Sequence, residues 1–129
     1  MTHELLIEKR KLIVFATIKC ANDSSSFKFI IDTGATKTLI DERVATTLGY
    51  QLFRLDKGDR LMTAGGAIHA KILKLPNFSL FGKEFVNLEV NVIKFPLQYT
   101  VLADGLIGMD ILLKFRNIKF DFDAKTAEI

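Results

Sequence analysis

Phe27-Lys28-Phe29-Ile30-Ile31-Asp32-Thr33-Gly34-Ala35-Thr36-Lys37-Thr38-Leu39-Ile40 carries two apolar stretches with an acidic turn between them. Phe27, Phe29 and Ile31 recur with period two, the spacing that gives an extended strand one apolar face. The strand runs directly into Asp32-Thr33-Gly34, where a short polar side chain and a glycine break the pattern. Thr38-Leu39-Ile40 then resumes it.

Upstream, Leu12, Val14, Ala16 and Ile18 share one face of a strand, and Ile13, Phe15, Thr17 and Lys19 the other. Ala21-Asn22-Asp23-Ser24 has turn chemistry, so the first third of the chain reads as a hairpin that delivers Asp32 at its end. Downstream, Asp41 is placed as the N-cap of a helix about two turns long. Glu42 suits its positive end, Val44, Ala45 and Leu48 form its apolar face, and Gly49 closes it. Residues 60–75 read as a hairpin around Ala64-Gly65-Gly66-Ala67. Residues 78–92 read as a second hairpin turning at Gly82-Lys83, with Val86, Leu88, Val90 and Val92 on one face and Asn87, Glu89 and Asn91 on the other. Residues 95–100 read as a loop. Leu106-Ile107-Gly108 is a short buried strand, followed by one or two turns of helix from Met109. Ile118, Phe120 and Phe122 alternate with Lys119, Asp121 and Asp123, and Asp123-Ala124-Lys125 turns into a last strand ending at Ile129. Many short strands with frequent turns imply an all-β sandwich or partly closed barrel with one or two short helices, as one domain over residues 1–129.

Bulk properties narrow the function. A chain of 129 residues can bury a core without disulfides or metal, and 49% hydrophobic with 26% charged residues is a globular balance. The net charge of +3 is mild and the cations are scattered. The one basic cluster, Lys9-Arg10-Lys11, lacks the aromatic partners of a nucleic-acid-binding motif and reads as a solvated turn or strand edge. The single Cys20 has no internal disulfide partner, which leans toward a reducing compartment. No apolar run approaches the ~20 residues that span a bilayer. Met1-Thr2-His3-Glu4 does not open a signal peptide. The expected location is the cytoplasm, with neither membrane nor nucleic acid as a partner. His3 and His69 are far apart in sequence, and no metal-ligand spacing is present.

The segment from Phe29 to Ile40 resembles the active-site peptide of the retropepsin-like aspartic peptidases. Asp-Thr-Gly alone is a weak signal, but two further motifs follow in the family's order. Thr63-Ala64-Gly65-Gly66-Ala67 stands where the family has a Gly-rich flap, and Leu106-Ile107-Gly108, inside Asp104-Gly105-Leu106-Ile107-Gly108-Met109-Asp110, resembles the element that packs behind the catalytic loop. The similarity covers roughly residues 10 to 123 and looks closer to bacterial members of the clan than to the viral enzymes. It implies an aspartic endopeptidase that needs no cofactor or metal. Asp32 would be one of two carboxylates that share a proton and activate a water. One such motif per chain supplies one carboxylate, so the resemblance implies a C2 homodimer that brings Asp32 beside its symmetry mate. By the same resemblance Thr33 bonds across to the opposite loop, Gly34 lets the backbone turn and approach closely, and Ala35 leaves room for the substrate. Ala64, Gly65, Gly66 and Ala67 would close over an extended peptide bound as an added strand. Leu39, Ile68 and Ile107 are candidates for lining apolar subsites.

The sequence also departs from the viral pattern. In the viral enzymes resembled, an acidic residue soon after the Ala and an Arg after the downstream Gly pair near the dimer interface; here the corresponding positions are Thr36 or Lys37, and Met109. That missing pair motivates an alternative, a non-catalytic peptide-binding or dimerisation module on the same fold. Asp110 reads as a helix-start or hydrogen-bonding residue, Asp104 as a turn residue, and Gly65-Gly66 equally as an ordinary hairpin tip.

Overall fold

The computed structural model describes residues 1–21, 23–63 and 66–129; Asn22 of the first expected turn and Ala64 and Gly65 of the expected flap lie outside them. In chain order the strands are β1 (Thr2–Glu4), β2 (Leu6–Glu8), β3 (Lys11–Cys20), β4 (Asp23–Ile31) and β5 (Leu39–Asp41), followed by helix α1 (Glu42–Thr47) and a 3-10 turn at Leu52–Arg54. β6 (Asp56–Thr63), β7 (Gly66–Leu80) and β8 (Lys83–Ile93) come next, then α2 (Leu97–Thr100), β9 (Gly105–Ile107), α3 (Met109–Leu112), β10 (Lys119–Asp121) and β11 (Thr126–Glu128).

Eight strands form one sheet in the order β2-β3-β4-β9-β5-β8-β7-β6. A further antiparallel pairing, Thr17 with Ser79 and Lys19 with Asn77, joins β3 to β7 and curls β3, β4, β9, β5, β8 and β7 into a ring. β2 and β6 stay outside this ring, so the barrel is only partly closed. The two termini are tied to each other in a separate small sheet, β1-β11-β10. Lys9 and Arg10, both at positive φ, make the tight turn between β2 and β3, as the solvated-turn reading of the basic cluster expects.

The barrel is filled by the alternating faces read from the sequence. Val14, Ala16, Ile18, Phe29, Leu75, Phe78 and Val90 are all buried in one cluster. With no Trp, rings provide much of the bulk: Phe29 meets Phe78 edge-on at 5.5 Å between centroids, and Phe81 meets Phe115 at 5.9 Å. A second, smaller cluster of Ile13, Ile30, Leu102 and Ala103 lies on the other side of the β3-β4 hairpin. That hairpin is therefore buried on both faces along part of its length, which strict alternation does not convey.

Three local differences from the sequence reading have physical causes. Val86 is 70% exposed although Leu88, Val90 and Val92 of the same strand face inward. Asn87 takes a positive φ, and Pro76 stands opposite, unable to donate to the ladder; both strands switch faces there, so Phe85 and Phe78 take over the core side. The second hairpin turns at Phe81 and Gly82, both at positive φ, one residue earlier than expected. Residues 97–100, expected as loop, form one helical turn with Pro96 as N-cap, its carbonyl accepting from the Tyr99 amide at 2.9 Å.

Helix α1 begins as expected. The Asp41 carboxylate accepts from the Arg43 amide at 3.0 Å and from Arg43 Nε at 2.6 Å, and its other oxygen accepts from the buried Phe95 amide at 2.8 Å. Burial pushes this carboxyl up, but the Phe95 and Arg43 amides and the Arg43 side chain together hold it below the usual value of 3.8. Asp41 therefore stabilises the ionised, folded state at neutral pH. Asp41→Ala is expected to lower the unfolding free energy by about 2–4 kcal/mol in urea titrations, chiefly by orphaning the Phe95 N–H. The gap between wild type and Asp41→Asn should be full above pH ~4 and shrink as the pH falls below that, because the native carboxylate protonates only at lower pH than in the unfolded chain.

Candidate active site

Asp32 is the first residue past β4, and the backbone fixes where it stands. β9 lies between β4 and β5, parallel to the first and antiparallel to the second. Residues 32–38 must therefore cross the end of β9 to pass from β4 to β5. The crossing begins with the Asp32 amide donating to the Ile107 carbonyl at 3.0 Å. It is held further by the Met109 amide on the Ala35 carbonyl at 2.8 Å and the Asp110 amide on the Thr36 carbonyl at 3.2 Å. A Cβ at Gly108 would come within 2.7 Å of the Lys37 backbone and 2.9 Å of the Ala35 carbonyl. The Leu106-Ile107-Gly108 element thus supports the loop from beneath, with Ile107 and Gly108 buried and Leu106 half-buried.

One side chain pair locks the far end of the crossing. Thr38, fully buried, donates its hydroxyl to Asp110 Oδ1 at 2.8 Å and accepts from the Gly108 amide at 3.1 Å. Asp110 also accepts from the Thr38 and Ile111 amides. Asp110 is the hydrogen-bonding residue that the sequence implies; Thr38, read there only as strand, is the part that was missed. Asp104 likewise does more than turn the chain. Its carboxylate accepts from the Lys28 amide at 2.9 Å, and its carbonyl accepts from the Asp41 amide, so it joins β4 to β5.

Within the loop, Asp32 is half-buried, and its Oδ1 accepts from the Gly34 amide at 2.9 Å. A Cβ on Gly34 would lie 3.2 Å from that same oxygen. Glycine here gives the carboxylate room; its φ is not in the left-handed range. Thr33 is exposed and, among the described residues, its hydroxyl has no partner in its own chain. Ala35 is half-buried, with its amide on the Asp32 carbonyl. In the β6-β7 hairpin Gly66, at φ 111°, pairs with Thr63, and exposed Ala67 pairs with Met62.

Two grooves flank the loop. The larger, about 650 Å³, has Asp32 in its wall together with Ile30, Ile31, Leu106, Tyr99, Arg10 and Lys11. The other, about 570 Å³, runs past Gly34, Ala35, Lys37 and Leu39 toward Asp59 and Leu61 of β6. Met62 and Ile93 border both. Leu39 thus lines a groove as expected. Ile107 is fully buried in the barrel core, and Ile68 borders neither groove.

Lys37 forms ion pairs within its own chain: Nζ lies 3.0 Å from Glu89 and 3.4 Å from Asp59. The Glu89 hydrogen bond holds its ammonium above the ordinary value against the opposing effect of burial, and Asp59 adds to this. Asp59 is in turn held low, first by the Asn91 amide at 2.9 Å and then by Lys37. The loop is thereby tied to the base of the β6-β7 hairpin. Among the described residues, no group of His, Cys, Asp and Glu side chains could hold a metal ion.

Gly108→Ala is expected to cost more than about 2 kcal/mol in chemical denaturation, because backbone on both sides leaves the methyl nowhere to go. Thr38→Val keeps the shape but loses both hydroxyl bonds, and about 1–3 kcal/mol of stability is expected to go with them.

Comparison with known proteins agrees with this geometry. The aspartyl protease family model matches residues 16–111. An uncharacterized protein of Rickettsia prowazekii is 31% identical over 104 residues, which cover 81% of this chain and 42% of that protein, so the chain spans under half the length of this relative. Among solved structures, a retropepsin-like aspartic protease from Rickettsia conorii superposes with a TM-score of 0.74 at 23% identity, covering 98% of this chain and 88% of the other. EIAV protease in complex with the inhibitor HBY-793 gives 0.59 at 20% identity over 82% and 88%. The retroviral protease-like domain of Ddi1 from Leishmania major gives 0.58 at 22% over 92% and 87%. At these identities the solved structures speak for the fold, and the family match does the rest: the chain belongs to the aspartyl protease family, with a retropepsin-like fold.

Proposed function

We propose that this chain is an aspartic endopeptidase whose active unit is a homodimer, with one Asp32 from each subunit forming the catalytic pair. The observation that carries the reading is Asp32 itself: a half-buried carboxylate, rigidly placed by a loop bonded to β9 and α3, in the wall of a groove large enough for peptide side chains. Around it the loop offers no second acid, since residues 33–38 are Thr, Gly, Ala, Thr, Lys and Thr. A C2 mate is the economical source of the other carboxylate.

Each part then has a task. One carboxylate, ionised, takes a proton from the attacking water; the other, protonated, donates a hydrogen bond to the scissile carbonyl oxygen. The Gly34 amide on Asp32 Oδ1 orients the carboxylate within the loop. Exposed Thr33 is free to bond the opposite loop, and Ala35 keeps the floor low enough for a substrate backbone. In this reading Gly66 and Ala67, at the start of β7, belong to the flap that closes over a peptide bound as an added strand.

Asp32→Asn is expected to leave the fold intact by circular dichroism and to reduce peptide cleavage by roughly 10²–10⁴-fold or more. Mixing experiments test the pairing. In an equimolar, fully exchanged mixture of wild type and Asp32→Asn, activity per total protein should fall to about one quarter, because only one random pair in four carries two acids. A fall to one half would mean that each chain works alone. A wild-type protein that binds peptides and cleaves none at any acidic to neutral pH would favour the non-catalytic module.

A further inference from the structure

The two grooves beside the catalytic loop differ in charge. In the smaller one, Lys37 and Arg60 are offset by Asp59, and Glu89 also neutralises Lys37. The larger has Asp32 as its one lining carboxylate against two cations, Arg10 and Lys11. Neither cation makes an ion pair among the described residues. Arg10 is exposed and held at φ 62° in the β2-β3 turn, a two-residue turn that fixes its backbone at the groove mouth. Lys11 is half-buried, and its ammonium sits 5.9 Å from the centre of the Tyr99 ring, which itself lines the groove. Deeper lining is apolar: Leu12, Ile30, Ile31, Phe95 and Leu106.

A peptide laid past Asp32 as a strand places same-face side chains about 7 Å apart, and sends the residue between them to the opposite face. The larger groove, at about 650 Å³, has room for two such side chains; the smaller receives the one between. Its chemistry asks for one apolar side chain against the Ile30–Leu106 wall, and one anionic side chain at the Arg10–Lys11 mouth. Resting on the peptidase reading above, we infer that the preferred substrates are extended segments with a large apolar residue next to the scissile bond and an acidic residue two positions further out. Two-fold symmetry repeats this preference on both sides of the bond.

Binding tests this without turnover. Decapeptides with Phe on both sides of a central hydroxyethylene isostere, and Glu, Gln or Lys two positions outward from each Phe, are titrated into the wild-type protein by calorimetry at low salt. The Glu peptide should bind roughly three- to tenfold more tightly than the Gln peptide and more tightly still than the Lys peptide, with the gap narrowing at 0.5 M salt (roughly a 4 Å screening length). Arg10→Gln with Lys11→Gln should bring the Glu/Gln ratio below about twofold, whereas Lys125→Gln, in the 123–125 turn, should leave it in place. Equal affinities for Glu and Gln, a ratio that survives the double substitution, or no binding by any of the three would overturn the inference. If the ratio is unity while Asp32→Asn still abolishes cleavage, the peptidase reading stands without this specificity. If the ratio appears and the same sequences with an ordinary Phe-Phe peptide bond are not cleaved, the groove assignment stands and the catalytic reading falls.

Discussion

The fold turns on a crossing. A loop that leaves β4 has to climb over the end of β9 to become β5, and it can do so only because Gly108 has no side chain to obstruct it. Everything that gives Asp32 a defined position follows from that contact. The amide and carbonyl groups freed by interrupting the sheet are taken up by the strand beneath and by the start of α3, so the loop is stiff without regular secondary structure. Gly105 repeats the principle one strand-length away: a Cβ there would run into the Phe29 ring and the Leu39 carbonyl. Two glycines, one opening the three-residue strand and one just past its end, let three chain segments approach more closely than side chains normally permit.

Much of this was legible from local pattern. Period-two alternation located β3, β4 and the second half of β8, and capping chemistry located α1 at Asp41. The order of Asp32-Thr33-Gly34 and Leu106-Ile107-Gly108 marks both sides of the crossing in the sequence itself. What alternation could not convey was where a strand changes faces. Val86 reads as core from its spacing to Leu88, but the positive φ of Asn87 reverses the strand, and Pro76 on the neighbouring strand was the one visible clue. Nor does periodicity expose long-range polar contacts. The Thr38 hydroxyl and the Asp104 carboxylate join segments about seventy residues apart in sequence, and nothing in their own neighbourhoods distinguishes them from ordinary turn and strand residues.

The charge at position 37 ties the loop to its surroundings. Lys37 reaches two carboxylates, on β6 and β8. Partly exposed pairs of this kind contribute little to global stability. Their value is geometric, because they join the rim of the loop to a strand that is otherwise on the outer edge of the sheet. Asn91 completes the arrangement from the core side, fully buried and bonded through its amide to Asp59.

That tether also sets a lever arm. With Asp59 pinned and the β6-β7 register shifted between Lys57 and Arg60, the uninterrupted pairing resumes at Arg60 with His69 and runs to Thr63 with Gly66. At ~3.3 Å per residue, this paired stretch of β6 from 60 to 63 is only about 10–13 Å long. The base of that stretch lies beside residue 59, so the same salt links that brace the loop also set the point from which the paired strands extend.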